Sequence, residues 1–331
     1  MTTMTRDKAI QNGWLLANER PRFERLAFPH PGHAACVHAN NRSVRNAVLA
    51  DVLNGRAGAV ANPCFLAQGP DVVIAETDRF GLPLRTVLSL SSGLMRSDPY
   101  YDADYLRTFY TEHYRALYRP VRFSQPWFLT EQIKHGQRLL ERYDPVLLPG
   151  ARVLDVGCGM GGTLVAFKFD GYETVGCDWG DEYTDRGRSI GLDVRTGGFE
   201  TLLGEEPFDL IILSHVLEHA ADPVDFCRQL RGLLSDTGIL HIELPGIHNI
   251  AAGYDGDLLT YLQNAHLWHF TKSTLNATLQ RAGLEMIDAD EAILCTARKG
   301  TVGHAIDRNE GARMLAELDR LERAMARGVA A

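Results

Sequence analysis

Between residues 150 and 298 short apolar runs alternate with amphipathic stretches, the pattern of parallel strands joined by crossover helices. Val153, Leu154 and Val156 predict a buried strand that runs into a turn containing Gly157, Gly159 and Gly161, with a helix following from about Thr163 to Phe169. Thr174–Asp178 reads as a second strand, Leu192–Arg195 as a short third, the run from Phe208 as a fourth and Ile239–Leu244 as a fifth. Phe226, Leu230, Leu233 and Leu234 recur at helical spacing between the last two, over 225–234. Two closing strands are expected near 285–288 and 292–297, after a helix that Thr271 caps and Gly283 stops.

Ahead of this region, Ser43–Leu53 has the spacing of a helix with Val44, Ala47, Val48 and Val52 near one face. A second helix starts from a cap at Asp102 and presents aromatics at 105, 109, 110, 114 and 118, for which core packing is the expected use. A long helix from about Pro126 to Tyr143 leads through Pro145 and Pro149-Gly150 into the first strand. The 245–261 stretch, rich in glycine and small residues, reads as a long loop that shapes a substrate pocket. Beyond Lys299-Gly300, residues 309–327 form an amphipathic helix with Leu315, Leu318, Leu321 and Met325 on one stripe. Docking on its own domain is the expected use and a homodimer seam the alternative. The chain divides accordingly into an N-terminal region (1–124), a central domain (125–298) and a C-terminal helix (299–331).

A net charge of −8 and a pI near 5.8 give no global attraction to nucleic acid or to an anionic membrane. Six cysteines without paired spacing fit a reducing compartment, the polar first twenty residues lack an apolar signal core, and no run approaches bilayer length. A cytoplasmic location is expected. His30, His33, Cys36 and His38 cluster around two prolines, but metal sites of this kind use two separated pairs on a defined turn, so a loop of unliganded histidines is the reading.

Asp155 sharpens the chemistry, because a glycine turn alone is common to many nucleotide-binding sheets. A carboxylate at that strand end repels a pyrophosphate and suits a cation. S-adenosylmethionine carries an ammonium and a sulfonium and no phosphate. Val153-Leu-Asp-Val-Gly-Cys-Gly-Met-Gly161 resembles the first motif of the class I S-adenosylmethionine-dependent methyltransferases, over roughly residues 125–298. The resemblance implies an α/β fold: a seven-stranded Rossmann-like methyltransferase sheet, its last strand antiparallel, with a smaller N-terminal region. It implies S-adenosyl-L-methionine as cofactor, held by Asp155, Gly157, Cys158, Gly159 and Gly161, with Asp178 on the ribose hydroxyls. Trp179 is expected beside the adenosine, Phe199 near the adenine and Ser214 at the fourth strand's end.

The fourth strand ends Ser214-His215-Val-Leu-Glu-His219, where amine-methylating enzymes place Asn/Asp-Pro-Pro-Tyr, so an amine acceptor is disfavoured. Ala265-His-Leu-Trp-His-Phe-Thr271 resembles the segment from which sugar methyltransferases of this family present a base. His266 is therefore the expected base, with His269 or His215 assisting. Sugar C-methyltransferases carry a glutamate and a tyrosine in that segment, which this chain replaces, and that favours oxygen as the methylated atom. The acceptor expected is a sugar, nucleotide-sugar or other small metabolite. The alternatives are a sugar C-methyltransferase and an inactive cofactor-binding subunit. An NAD oxidoreductase is disfavoured by Asp155. Finally, Asp78-Arg-Phe-Gly-Leu-Pro-Leu onward resembles a zinc-ribbon segment found ahead of such domains. Its knuckles here read Cys64-Phe-Leu-Ala67 and Ser89-Leu-Ser-Ser92, so one thiolate of four remains and no metal is expected.

Overall fold

The computed structural model describes residues 3–37, 41–118 and 125–328. Contacts gather them into two units with separate cores, one of Met1–Arg122, Gly246–Thr274 and Ile306–Ala331, the other of Phe123–Pro245 and Leu275–Ala305.

In the first unit, helix α1 (Arg42–Leu53) buries Val48 and Val52 on the face its spacing predicts. Strands β1 (Asp71–Thr77), β2 (Pro83–Ser89) and β3 (Met95–Ser97) form an antiparallel sheet, extended at β3 by Trp268–His269. Cys64 Sγ lies 3.4 Å from Ser92 Oγ, so the two knuckle-like turns face one another. His38 lies outside the described residues; of its neighbours, His30 accepts from the Gly32 amide and His33 from the Ala35 amide. Asp102 accepts from the Tyr105 amide at 2.7 Å and starts a helical run to Tyr118 whose middle, Phe109–His113, is π-helical. The aromatic stripe packs on a core with Trp14, Val48, Val52 and Phe80, as its composition predicts.

The stretch expected to be a long loop is instead mostly helical. Ile250–Gly253 and Leu258–Tyr261 are short helices, the second capped by Asp257. They bury Ile247, Ile250, Leu258 and Leu259 with Met314, Leu318 and Leu321 of the C-terminal helix Glu310–Ala326. That helix thus docks within its own chain, on a stripe that takes in Met314, while Leu315 is only half-buried. Glu310 anchors its first turn. Burial opposes its charge, but His248, Thr271 and Arg313 bind the carboxylate and hold it down to about 2.

The second unit holds the seven-stranded sheet: β4 (Arg152–Val156), β5 (Glu173–Asp178), β6 (Val194–Thr196), β7 (Phe208–Ser214), β8 (Leu234–Glu243), β9 (Leu284–Ala289) and β10 (Leu294–Lys299). Their order is β9-β10-β8-β7-β4-β5-β6, and β10 runs antiparallel to both neighbours while β8, β7, β4, β5 and β6 pair in parallel. Leu210, Ile211, Ile212 and Leu213 are all fully buried, as a central strand covered on both faces requires. Helix α2 (Gln125–Tyr143) precedes the sheet, and helices α3 (Gly162–Phe169), α4 (Asp181–Ser189), α5 (Pro223–Leu233) and α6 (Lys272–Arg281) lie between its strands. Asp222 caps α5 and Pro223 occupies its first turn. Thr271 caps α6 through reciprocal bonds with Thr274. Parallel pairing brings the carboxyl ends of β4, β5, β7 and β8 to one edge of the sheet, where ligands of open α/β sheets sit. Among the described residues no helix is long and apolar enough to cross a membrane.

Candidate active site

The glycine turn after β4 is built for close approach. Gly157 has φ 74°, and a Cβ there would meet Val216 Cγ2 at 2.5 Å. A Cβ on Gly159, φ 57°, would meet Gln132 Nε2 at 3.0 Å and the Phe128 ring at 3.2 Å. The amides of Gly157 and Cys158 donate to the Cys177 carbonyl at 2.8 and 3.0 Å, which ties the turn to β5. Cys158 contributes backbone only: its side chain is buried and burial pushes the thiol well above its usual range. Gly161, φ 73°, opens α3.

Asp178, at the tip of β5, has its carboxylate held by the Gly159 amide at 3.0 Å on one oxygen and by the Gly180 amide at 2.7 Å on the other. Each oxygen keeps a second lone-pair direction, which is what a vicinal diol needs. Asp155 is buried. Desolvation first, then the Asp178 charge, push its carboxyl up to about 8 against a hydrogen bond from Thr163, so at neutral pH the isolated protein holds it mostly protonated. That corrects the simple picture of a permanently charged strand tip. Trp179 projects to solvent, 78% exposed, beside Asp178. Phe199 is buried, 2% exposed, and its ring packs edge-on to Phe226 at 5.0 Å.

At the ends of β7 and β8 lies a polar group that pattern reading missed. His135 of α2 places Nε2 3.2 Å from Ser214 Oγ and 3.4 Å from Glu243, while Nδ1 is 3.5 Å from the Arg138 guanidinium. Arg138 can only donate, so the ring hydrogen is assigned to Nε2, facing Ser214 and Glu243. Burial lowers the His135 pKa below the usual histidine value, with Glu243 opposing, and the ring is neutral near pH 7. Behind it, Glu243 meets His241 Nε2 at 3.5 Å and His241 Nδ1 meets the Tyr143 hydroxyl at 2.7 Å. Burial works against the Glu243 charge, but His241 and His135 hold its pKa below the usual carboxylate value. Ser214 is thereby fixed at the strand end by a donor, and its own hydroxyl hydrogen is free to point elsewhere.

His215 follows with φ 56°, a left-handed conformation that side chains rarely adopt and that clusters at functional sites. Its Nδ1 lies 3.6 Å from Glu218. Desolvation disfavours the charged ring, but the neighbouring Glu218 and then Glu243 prevail and raise its pKa above the usual histidine value. His266 and His269 belong to the first unit. The Ser97 hydroxyl donates to the His266 carbonyl at 2.8 Å, and His269 is a sheet residue, 1% exposed, whose ring stands 5.3 Å from that of Tyr261. His269 is packed as a core histidine is packed.

Residues 128–289 match a family model described as a methyltransferase domain. This domain belongs to the class I S-adenosylmethionine-dependent methyltransferases. A ubiquinone biosynthesis O-methyltransferase of Xanthomonas campestris pv. campestris (strain B100) is 36% identical over 105 residues, covering 29% of this chain and 44% of the relative. One of Dinoroseobacter shibae is 28% identical over 188 residues, covering 52% of this chain and 73% of the relative. The chain thus spans less than half the length of the first of these. Among solved structures, a magnesium protoporphyrin IX methyltransferase from Synechocystis PCC 6803 with bound SAH is 14% identical at a TM-score of 0.44, covering 60% of this chain and all of that one. The methyltransferase domain fits S-adenosylmethionine on its own geometry: a glycine turn packed too tightly to admit a Cβ, a fixed carboxylate at β5, and a buried carboxyl beside the turn that a cation would favour in its ionised form.

Proposed function

We propose that this protein transfers a methyl group from S-adenosylmethionine to a hydroxyl oxygen of a small molecule, with a sugar or nucleotide sugar as the acceptor class. When bound, the cofactor supplies a methyl group on an activated sulfonium, so the protein's task is to align the acceptor and remove one proton. The observation that carries the choice of oxygen is the end of β7. Ser214, hydrogen-bonded to neutral His135 and followed by the strained His215, offers hydroxyl and imidazole groups there and no Pro-Pro-Tyr grip for an amine. His266 as base rests on the likeness of its segment to that of sugar methyltransferases. The names of the relatives support oxygen methylation of a small molecule, and they attach it to ubiquinone biosynthesis, so a phenolic hydroxyl stands as the second reading.

Methyl-labelled cofactor offered with a nucleotide sugar and with a catechol tests both. A product methyl resonance on oxygen, by NMR, is the expected result. Label on carbon would favour the C-methylating alternative. Tight cofactor binding with no transfer to any acceptor would favour an inactive cofactor-binding subunit.

A further inference from the structure

We propose that the side-chain carbonyl of Gln132 binds the ammonium of the cofactor's methionine portion, together with Asp155. This rests on the assignment of S-adenosylmethionine as cofactor and names a ligand that the glycine turn does not reveal.

Gln132 lies in α2, ahead of the sheet, yet it sits directly on the turn. Two glycines make that possible. A Cβ on Gly136 would fall 2.1 Å from the Thr163 carbonyl, and one on Gly162 would fall 2.6 Å from the Gln132 Cβ, so α2 and the start of α3 approach backbone to backbone. The amide nitrogen of Gln132 donates to the Cys158 carbonyl at 2.7 Å. That contact fixes the orientation of the amide, because a flipped group would set two acceptors against each other. Its oxygen, Oε1, is then a buried acceptor without a hydrogen-bond partner among the described residues. A buried unsatisfied carbonyl is costly, and native structures seldom keep one without a use. The group required is a donor, and it must lie beside the Gly157–Gly161 turn. The cofactor's ammonium has three N–H bonds and no need of a fixed direction. Asp155, two residues before the turn, supplies a charged acceptor once it ionises, and Gln132 Oε1 supplies a neutral one. A phosphate would meet the Gln132 carbonyl as a second acceptor and could take at most the single hydrogen of protonated Asp155, with no countercharge.

Calorimetric affinities of wild type and Gln132→Met for adenosylhomocysteine and for its deamino analogue form a double-mutant cycle on the α-amino group. Wild type should prefer the amino ligand, and the substitution should reduce that preference about tenfold. A preference unchanged by the substitution overturns the proposal, whatever the absolute affinities, because the residue would then only brace Cys158. Gln132→Asn, which withdraws the amide by one methylene, serves the same cycle should the methionine variant not fold. Wild-type protein that binds neither ligand sinks the cofactor assignment itself, a different result from an unchanged preference.

Discussion

Replacing Asp155 by asparagine asks what the buried strand tip does for the cofactor. With its pKa pushed up to about 8, Asp155 is protonated in most free molecules at neutral pH. An ammonium binds the ionised form, so binding must release a proton. Below the shifted value the ionised fraction falls tenfold per pH unit, from roughly a quarter at pH 7.5 to well under one per cent at pH 5.5. Affinity for adenosylhomocysteine should therefore climb by nearly two orders of magnitude across that window, in which the ligand's own α-amino group stays mostly charged. Calorimetry at pH 7 in buffers of different ionisation enthalpy should count about 0.9 proton released. Asp155→Asn should bind weakly and show little of this slope, since the shape is kept and the titrating proton is gone. The stability arm carries the opposite sign. A carboxyl raised in the folded state costs stability as pH climbs from its unfolded value toward about 8, by up to ~4 kcal/mol at pH 7. The cofactor-free asparagine variant should accordingly melt higher than wild type at neutral pH and no higher near pH 4. A flat wild-type affinity from pH 5.5 to 7.5, or an asparagine variant that keeps the full slope, would refute the reasoning.

His266→Ala should lower methyl transfer by about 100-fold while leaving adenosylhomocysteine affinity nearly unchanged, and unaltered turnover would remove it from the mechanism. Glu310→Gln should weaken the C-terminal anchor: with the native carboxyl held down to about 2, its contribution is present above pH ~4.5, worth up to ~3 kcal/mol, and fades as pH falls toward 2. Melting curves of wild type and variant should therefore differ most at neutral pH and converge in acid. Elemental analysis of the purified protein should find far less than one zinc per chain, because Cys64 faces a serine hydroxyl where a second thiolate would be needed; stoichiometric zinc would contradict that.

The parallel strands were legible because β4 and β7 are buried on both faces and so read as unbroken apolar runs, and the places of Asp155 and Asp178 near strand ends because a glycine turn sets their spacing. What α2 does was not legible. Helical periodicity shows which face of 125–143 is apolar, but not that Gln132 reaches a carbonyl 26 residues on, or His135 a hydroxyl 79 residues on. The same limit hid the affiliation of residues 246–274. Their glycines and aspartates read as loop, while Ile247, Ile250, Leu258 and Leu259 gain helical order only by burial with Met314 and Leu318, more than fifty residues away.

Asp155 marks a subtler boundary. The residue type alone makes the strand tip an anion that repels phosphate. Burial makes it a neutral acid whose charge depends on its visitor. Selectivity survives this change by another route. A cation stabilises the ionised carboxyl and so draws out the charge that binds it, whereas a phosphate favours the protonated form and meets a group that gives one hydrogen bond and no countercharge. Discrimination then grows with pH for the cationic ligand alone. A nicotinamide nucleotide, if it bound at all, would bind less well as pH rose through 8, the reverse of the slope expected for adenosylhomocysteine.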